Sequence, residues 1–269
     1  MTVSPASVHR LSDFRGVSCA NTHARAERCP NSRGEVLNQS LDLIEYGELT
    51  ESVTTARAVR ADRASGTQEA ILKAAERLYA EHGVFAVSNR QVSEAAGQGN
   101  NAAVGYHFGT KTDLVRAIEQ KHRASIERLL ERMVTDIGDS TELRDWITCM
   151  VCSLTEHLAQ LGNPTTYARF AAQALADPAY QKIVVRDALA SASLVAVVDG
   201  ITRCLPELPT AVVTERNIMV RNLMMHTCAD FERAFSDGDA VPRTSWTAVA
   251  CGLIDAIVGL WRAPVTEQP

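Results

Sequence analysis

Long apolar runs are missing from this 269-residue chain. Asp199, Asp230 and Asp255 interrupt its uncharged stretches, well before the roughly 18 consecutive apolar residues a membrane span needs. The N-terminus has no apolar segment resembling a secretory signal, so a cytoplasmic protein with no membrane partner is expected. Seven cysteines, an odd number, follow no disulfide framework and no paired zinc spacing, which fits reduced thiols, mostly acting as small buried hydrophobes. Cys149 and Cys152 lie near one face of a helical pattern, but no second pair completes a zinc tetrahedron. There is no His-Glu-x-x-His, no Gly-x-Ser-x-Gly and no phosphate-cradling glycine loop, so an enzyme would have to work through unrecognised residues. No catalytic residue, cofactor or metal is expected. Basic charge is not in excess either, at a net of -5; that excludes a protein coated in positive charge but not a local cationic face on a small module.

What is present is a hydrophobic content of 46%, enough for a sizeable core, and an uneven charge distribution. Lys plus Arg against Asp plus Glu stands at 8 to 8 over residues 1–65, 7 to 6 over 66–123 and 12 to 18 beyond, so the acidity belongs to the C-terminal part. Residues 1–65 lack lasting periodicity and read as a disordered N-terminal extension. Its Arg57, Arg60 and Arg63 are either a minor-groove arm or solvated linker charges. From Thr67 the pattern becomes helical: Ile71, Ala74, Ala75, Leu78 and Tyr79 share one face, and Lys73, Glu76, Arg77 and Glu81 the other. Thr67 is the expected cap and Gly83 the stop. Ser88 with Gln91 makes a capping box for a second helix ending at Gly97, Asn100 or Asn101 can cap a third, and Thr110 with Asp113 opens a long fourth.

Short helices at sharp angles suit a helix-turn-helix, in which small residues such as Ala95, Ala96, Ala102 and Ala103 allow close packing while the second helix projects toward base edges. Asn100 and Asn101 sit where a recognition helix meets bases, and amide side chains pair bidentately with adenine. Tyr106, His107 and Lys111, beside the start of the fourth helix, can donate to phosphates. A plain Ala-rich hairpin with Tyr106 and Phe108 as core is the other reading of these residues taken alone.

The segments "ILKAAERLYAEHG", "SNRQVSEAAG" and "AVGYHFGTKTDL", in that order and spacing, resemble the TetR/AcrR family of transcriptional regulators. The resemblance covers residues 67 to about 122. Gly105 stands where many members carry tyrosine, and the "GQGNN" loop is one residue longer than the commonest form. The resemblance implies a DNA-binding transcriptional regulator, more often a repressor, acting as a homodimer on a pseudo-palindromic double-stranded DNA operator and released by a small-molecule effector. The candidate DNA-facing set is Asn89, Arg90, Asn100, Asn101, Gly105, Tyr106, His107 and Lys111.

The expected fold is all-α: a helix-turn-helix DNA-binding domain over 66–112 and a helical ligand-binding and dimerisation domain over 113–264. In the body, Asp139 with Glu142 is expected to cap a fifth helix, Pro164 to start a sixth and Asp177-Pro178 to open another, with two more at about 210–235 and 244–262. Trp146, Met150, Tyr167, Arg169 and Phe170 are candidates for a cavity between bundle helices, ordinary core packing being the alternative for each. Leu223, Phe231, Trp246, Gly252, Leu253, Ala256 and Ile257 form the candidate dimerisation set, since the last two helices carry apolar and small residues at three- and four-residue steps. The rival reading from another class is a helical small-molecule-binding protein or enzyme in which the helix-turn-helix is only scaffold.

Overall fold

The capping boxes at Ser88 and Thr110 and the Asp177 cap form as expected, whereas Thr67, Asn100 or Asn101, and Asp139 with Glu142 do not cap their helices, Ala102 taking the cap position of the third. The computed structural model describes residues 64–239 and 244–266; the expected disordered extension, including Arg57, Arg60 and Arg63, falls almost wholly outside them. Helix α1 (residues 64–82) is already helical at Ala64, so Thr67 lies inside it rather than capping it. The Gly66 this includes costs about 1 kcal/mol relative to alanine, less than the following apolar face gains by burial. Gly83 ends the helix with φ 82°, its N–H bonded to the Tyr79 carbonyl at 2.9 Å.

Both predicted capping boxes form. Ahead of α2 (Asn89–Ala95), the Ser88 hydroxyl accepts from the Gln91 N–H, and the Gln91 amide oxygen accepts from the Ser88 N–H at 2.8 Å. After α3 (Ala103–Phe108), Thr110 and Asp113 repeat the device at the head of α4 (Lys111–Ile137). A cap contributes about 1 kcal/mol, whereas each fully buried aliphatic side chain contributes roughly 1.5–3 kcal/mol. Caps therefore set where these helices begin, and burial of Ile71, Tyr79, Val87, Val92, Val104, Leu114 and Ile118 holds them together. The close approach of α2 and α3 uses Val92, Ser93, Ala103 and Val104, all buried, while Ala95 and Ala102 face outward. The corner itself turns at Gly97, whose φ of 68° favours glycine.

The body is α5 (Leu143–Leu161), α6 (Tyr167–Ala176), α7 (Pro178–Ala188), α8 (Ala192–Arg203), α9 (Thr210–Asp237) and α10 (Trp246–Arg262). Only helices occur among the described residues, and none is long and apolar enough to cross a membrane. Helix α5 is central, packed by α4, α8 and α10, while α6 packs against α9. The expected Asp139 and Glu142 cap does not form: the Ser140 hydroxyl accepts the Glu142 N–H at 3.2 Å and donates to the Asp145 carboxylate at 2.6 Å. Helix α6 begins at Tyr167, not at Pro164, because its free N–H groups are met from another helix. The buried Glu232 carboxylate of α9 accepts from the backbone of Ala168 and Arg169 at 3.0 and 2.9 Å. Asp177 caps α7 as expected. The break at residues 189–191 carries no Gly or Pro; it is fixed by Ser191, which caps α8 and donates to Glu127 of α4.

Candidate nucleic-acid interface and interior cavity

Helix α3 turns Ala103 and Val104 inward and leaves Gly105 and Tyr106 outward, the tyrosine 84% exposed. The His107 ring meets the Tyr106 ring edge-on at 5.0 Å. The two candidate base readers are placed differently. Asn100 uses its side-chain oxygen to accept the Ala102 N–H at 2.9 Å, which fixes the entry to α3. Asn101 has its carbonyl held by the Ser93 hydroxyl at 3.3 Å, while its exposed side chain makes no hydrogen bond within the described residues. Asn101 thus keeps both amide groups open, as bidentate pairing with a base edge requires. On α2, Asn89 is half-buried with an unpartnered side-chain oxygen, and exposed Arg90 pairs with Glu94 at 2.8 Å.

Lys111 does not stand free beside these groups. Its ammonium donates to the carbonyls of Val84 and Phe85 at 3.1 and 3.4 Å, tying the start of α4 to the loop after α1, and burial pushes its pKa down. Phe85 itself is 90% exposed. The run "GVFAVS" gave no reason to single it out, because Val84 and Val87 on either side are buried and the segment reads as an apolar connection.

A buried polar chain joins the head to the body. His122 of α4 contacts Glu76 of α1 through Nε2 at 2.9 Å and His157 of α5 through Nδ1 at 2.9 Å. Thr166 donates to the other Glu76 oxygen at 2.8 Å, and the Tyr167 ring stacks on His122 at 3.9 Å. Glu76 was expected on the solvent side of α1, but it is buried because α4 and the loop before α6 cover that face. Burial alone would raise the Glu76 pKa; hydrogen bonding and charge from His122 outweigh it and hold the carboxyl below its ordinary value. Burial, aided by His122, lowers His157 to about 4, so His157 is neutral near pH 7.

Beside this chain lies a cavity of about 430 Å³ walled by α4 to α9, within the usual range for small-molecule sites. Of the predicted ligand residues, Met150 and Tyr167 line it. Trp146, Arg169 and Phe170 do not. The Trp146 indole N–H bonds the Ser140 carbonyl at 2.9 Å, its ring lies against Gly200, and the Arg203 guanidinium sits 5.3 Å over it. Arg169 pairs with Glu232 at 3.2 Å, and Phe170 is core beside Tyr79 and Tyr167. The polar wall comes instead from Glu119, Arg123 and Glu127, spaced at four residues along α4, with Arg221 from α9. In sequence that spacing reads as a solvated helix stripe; only the placement of α6 to α9 over it makes it interior. Burial raises Glu119 to about 7, against the opposing pull of Arg123.

The candidate dimerisation residues divide. Leu253 and Ile257 point into the chain's own core, at 3% and 0% exposure, since α10 packs on α5. Phe231 and Trp246 belong to an aromatic row within the chain, Phe231 on Phe235 at 5.9 Å and Phe235 on Trp246 at 5.2 Å. Leu223 and Gly252 are half-buried and Ala256 is exposed. Cys149 and Cys152 are free thiols, and burial pushes Cys149 up to about 11. Among the described residues no group of three or more His, Cys, Asp or Glu is placed to hold a metal ion.

Residues 71–118, covering α1 to the start of α4, match the family model described as bacterial regulatory proteins, tetR family. No curated protein matches the chain. Among solved structures, the TetR family transcriptional regulator PfmR from Thermus thermophilus is similar at 16% identity and a TM-score of 0.46, over 73% of this chain and 99% of that one. A Rhodococcus sp. protein described as a TetR-family regulator is similar at 18% identity and 0.41, over the same shares. The match to the tetR model falls on the capped helices, the Gly97 corner and the outward face of α3, so residues 71–118 form a helix-turn-helix head similar to that of bacterial regulatory proteins of the tetR family.

Proposed function

We propose that the protein represses transcription as a homodimer on a pseudo-palindromic operator and is released by a small effector held in the interior cavity. The observation that carries this reading is the double use of α4. Its N-terminal part packs the head through Leu114, Val115 and Ile118, and its middle lines the cavity from Glu119 to Leu130. A helix of 27 residues spans about 40 Å at 1.5 Å per residue, so a small tilt set at the cavity moves the head appreciably. Two recognition helices read two half-sites only when they stand about one turn of DNA apart, roughly 34–36 Å. An effector acts by binding one dimer shape better than the other, with a coupling of about 1–3 kcal/mol.

Dimerisation in this reading uses the outward faces of α9 and α10, where Ile218, Met219, Ala256 and Gly259 are exposed. Gel shifts of the full chain on DNA from upstream of its own gene test the proposal. Salt-sensitive binding to one fragment, with a two-fold footprint, is expected. Absence of specific binding on every fragment would leave the helix-turn-helix as scaffold.

A further inference from the structure

The cavity wall carries two carboxyl and two guanidinium side chains, and on both guanidinium groups the Nε donor is left without a partner. Glu127 is occupied: the Ser191 hydroxyl and the Ser193 N–H both donate to its carboxylate. Glu119 is 5% exposed, with one carboxyl oxygen buried and unpartnered. Arg123 and Arg221 each line the cavity with a buried, unpartnered Nε, and neither takes part in an ion pair or hydrogen bond within the described residues. A buried guanidinium nitrogen left without an acceptor is costly, and a planar fork of donors suits a carboxylate. The rest of the wall is aliphatic or thioether, including Ile126, Leu130, Met150, Leu154, Met224 and Met225. Resting on the reading of this cavity as the effector site, we infer that its ligand is an anionic amphiphile: an extended apolar body with a single carboxylate that takes up the free donors of Arg123 and Arg221.

A cationic ligand leaves both guanidinium Nε donors without an acceptor and finds the Glu127 carboxylate already bonded by Ser191 and Ser193. A neutral apolar ligand leaves both Nε donors orphaned. A doubly charged phosphate head together with an ionised Glu119 sets three negative charges against the two arginines, whereas a carboxylate with Glu119 sets two. A monocarboxylate satisfies the donors without needing the Tyr167 hydroxyl, which at the same wall is hydrogen-bonded to the Glu119 carboxyl.

The test uses three probes of one chain length, decanoate, decanol and decyltrimethylammonium, titrated calorimetrically into the full chain and into R123Q and R221Q. Decanoate should bind tightest. At least one variant should lose about ten- to a hundredfold in decanoate affinity, the loss expected for a charge-assisted hydrogen bond. Decanol binding should stay within about twofold in both variants, which also shows that they are folded. Decanol equal to decanoate, the ammonium probe tightest, or no binding by any probe overturns the inference. Release of DNA is measured in parallel. If decanol or the ammonium probe binds and releases DNA, the carboxylate class fails while the effector reading stands. If decanoate binds with the arginine dependence but leaves DNA affinity unchanged, the ligand class stands and the effector reading fails.

Discussion

The head and the body of this protein solve the same packing problem with different means. In the head, pairs three residues apart start α2 and α4, and one positive-φ glycine makes the corner. In the body, the starts of α6 and α8 are tied to residues more than sixty positions away, Glu232 and Glu127. Of the head's candidate DNA-facing residues, Asn101 and Tyr106 stand exposed, whereas Arg90, Asn100 and Lys111 are engaged within the head. The body keeps its charged groups inside, where each must be met by another helix or by a ligand. Outward function leaves a local trace in sequence, and inward function does not.

Five substitutions probe that contrast. The largest effect is expected at Leu253→Glu, which sets a carboxylate into the α5–α10 contact with no partner. Its cost of several kcal/mol should leave little folded protein, whereas Gly259→Arg on the outward side of α10, where a Cβ has open space, should give a folded monomer. Circular dichroism with light scattering separates the two, and a folded monomeric Leu253→Glu protein would contradict the burial described. Next is Gly200→Ala, whose Cβ would lie 2.2 Å from the Trp146 ring; a loss of about 3 kcal/mol in urea unfolding is expected, and a change below about 1 kcal/mol would mean that the ring can step aside.

A smaller, pH-dependent effect belongs to Glu119. Its folded value of about 7 lies above the ordinary 4.5, so the folded state keeps a proton that the unfolded chain releases. The resulting stability is complete below about pH 4.5 and lost as pH rises through about 7, on the order of 3 kcal/mol at most. In Glu119→Gln the fall in urea midpoint between about pH 5 and pH 8 should shrink, and an unchanged fall would assign the titration elsewhere. Smallest in stability is Tyr106→Ala: the melting temperature should hardly move, with a change within about 0.5 kcal/mol, while operator affinity drops by about 1–3 kcal/mol. Unaltered affinity in a gel shift removes Tyr106 from the interface.

The same division explains what was legible in the sequence. The helix-turn-helix could be read because Ser88 with Gln91, Thr110 with Asp113 and the Gly83 and Gly97 stops act within one turn of chain. Exposed Asn101 was legible for the same reason, while the engagement of Lys111 with two carbonyls 26 and 27 positions earlier was not. In the body, helix number and rough spans were legible from apolar periodicity, but the cavity was not. Trp146 and Phe170 look like ligand contacts and are core; Glu119 and Arg123 look solvated and are interior.

Sequence by itself determined the all-helical character and the head with its corner, since each depends on periodicity or on hydrogen bonds closed within a few residues, while it left Tyr106 open as outward or core. Tertiary structure alone decided that Leu253 and Ile257 close the chain's own core, that Glu76, His122 and His157 meet, and that α4 turns a charged stripe into the wall of a cavity. Those outcomes require helices distant in sequence to choose which face of a neighbour they cover, and the energy of that choice lies in desolvation and pairing across helices, which no single helix encodes.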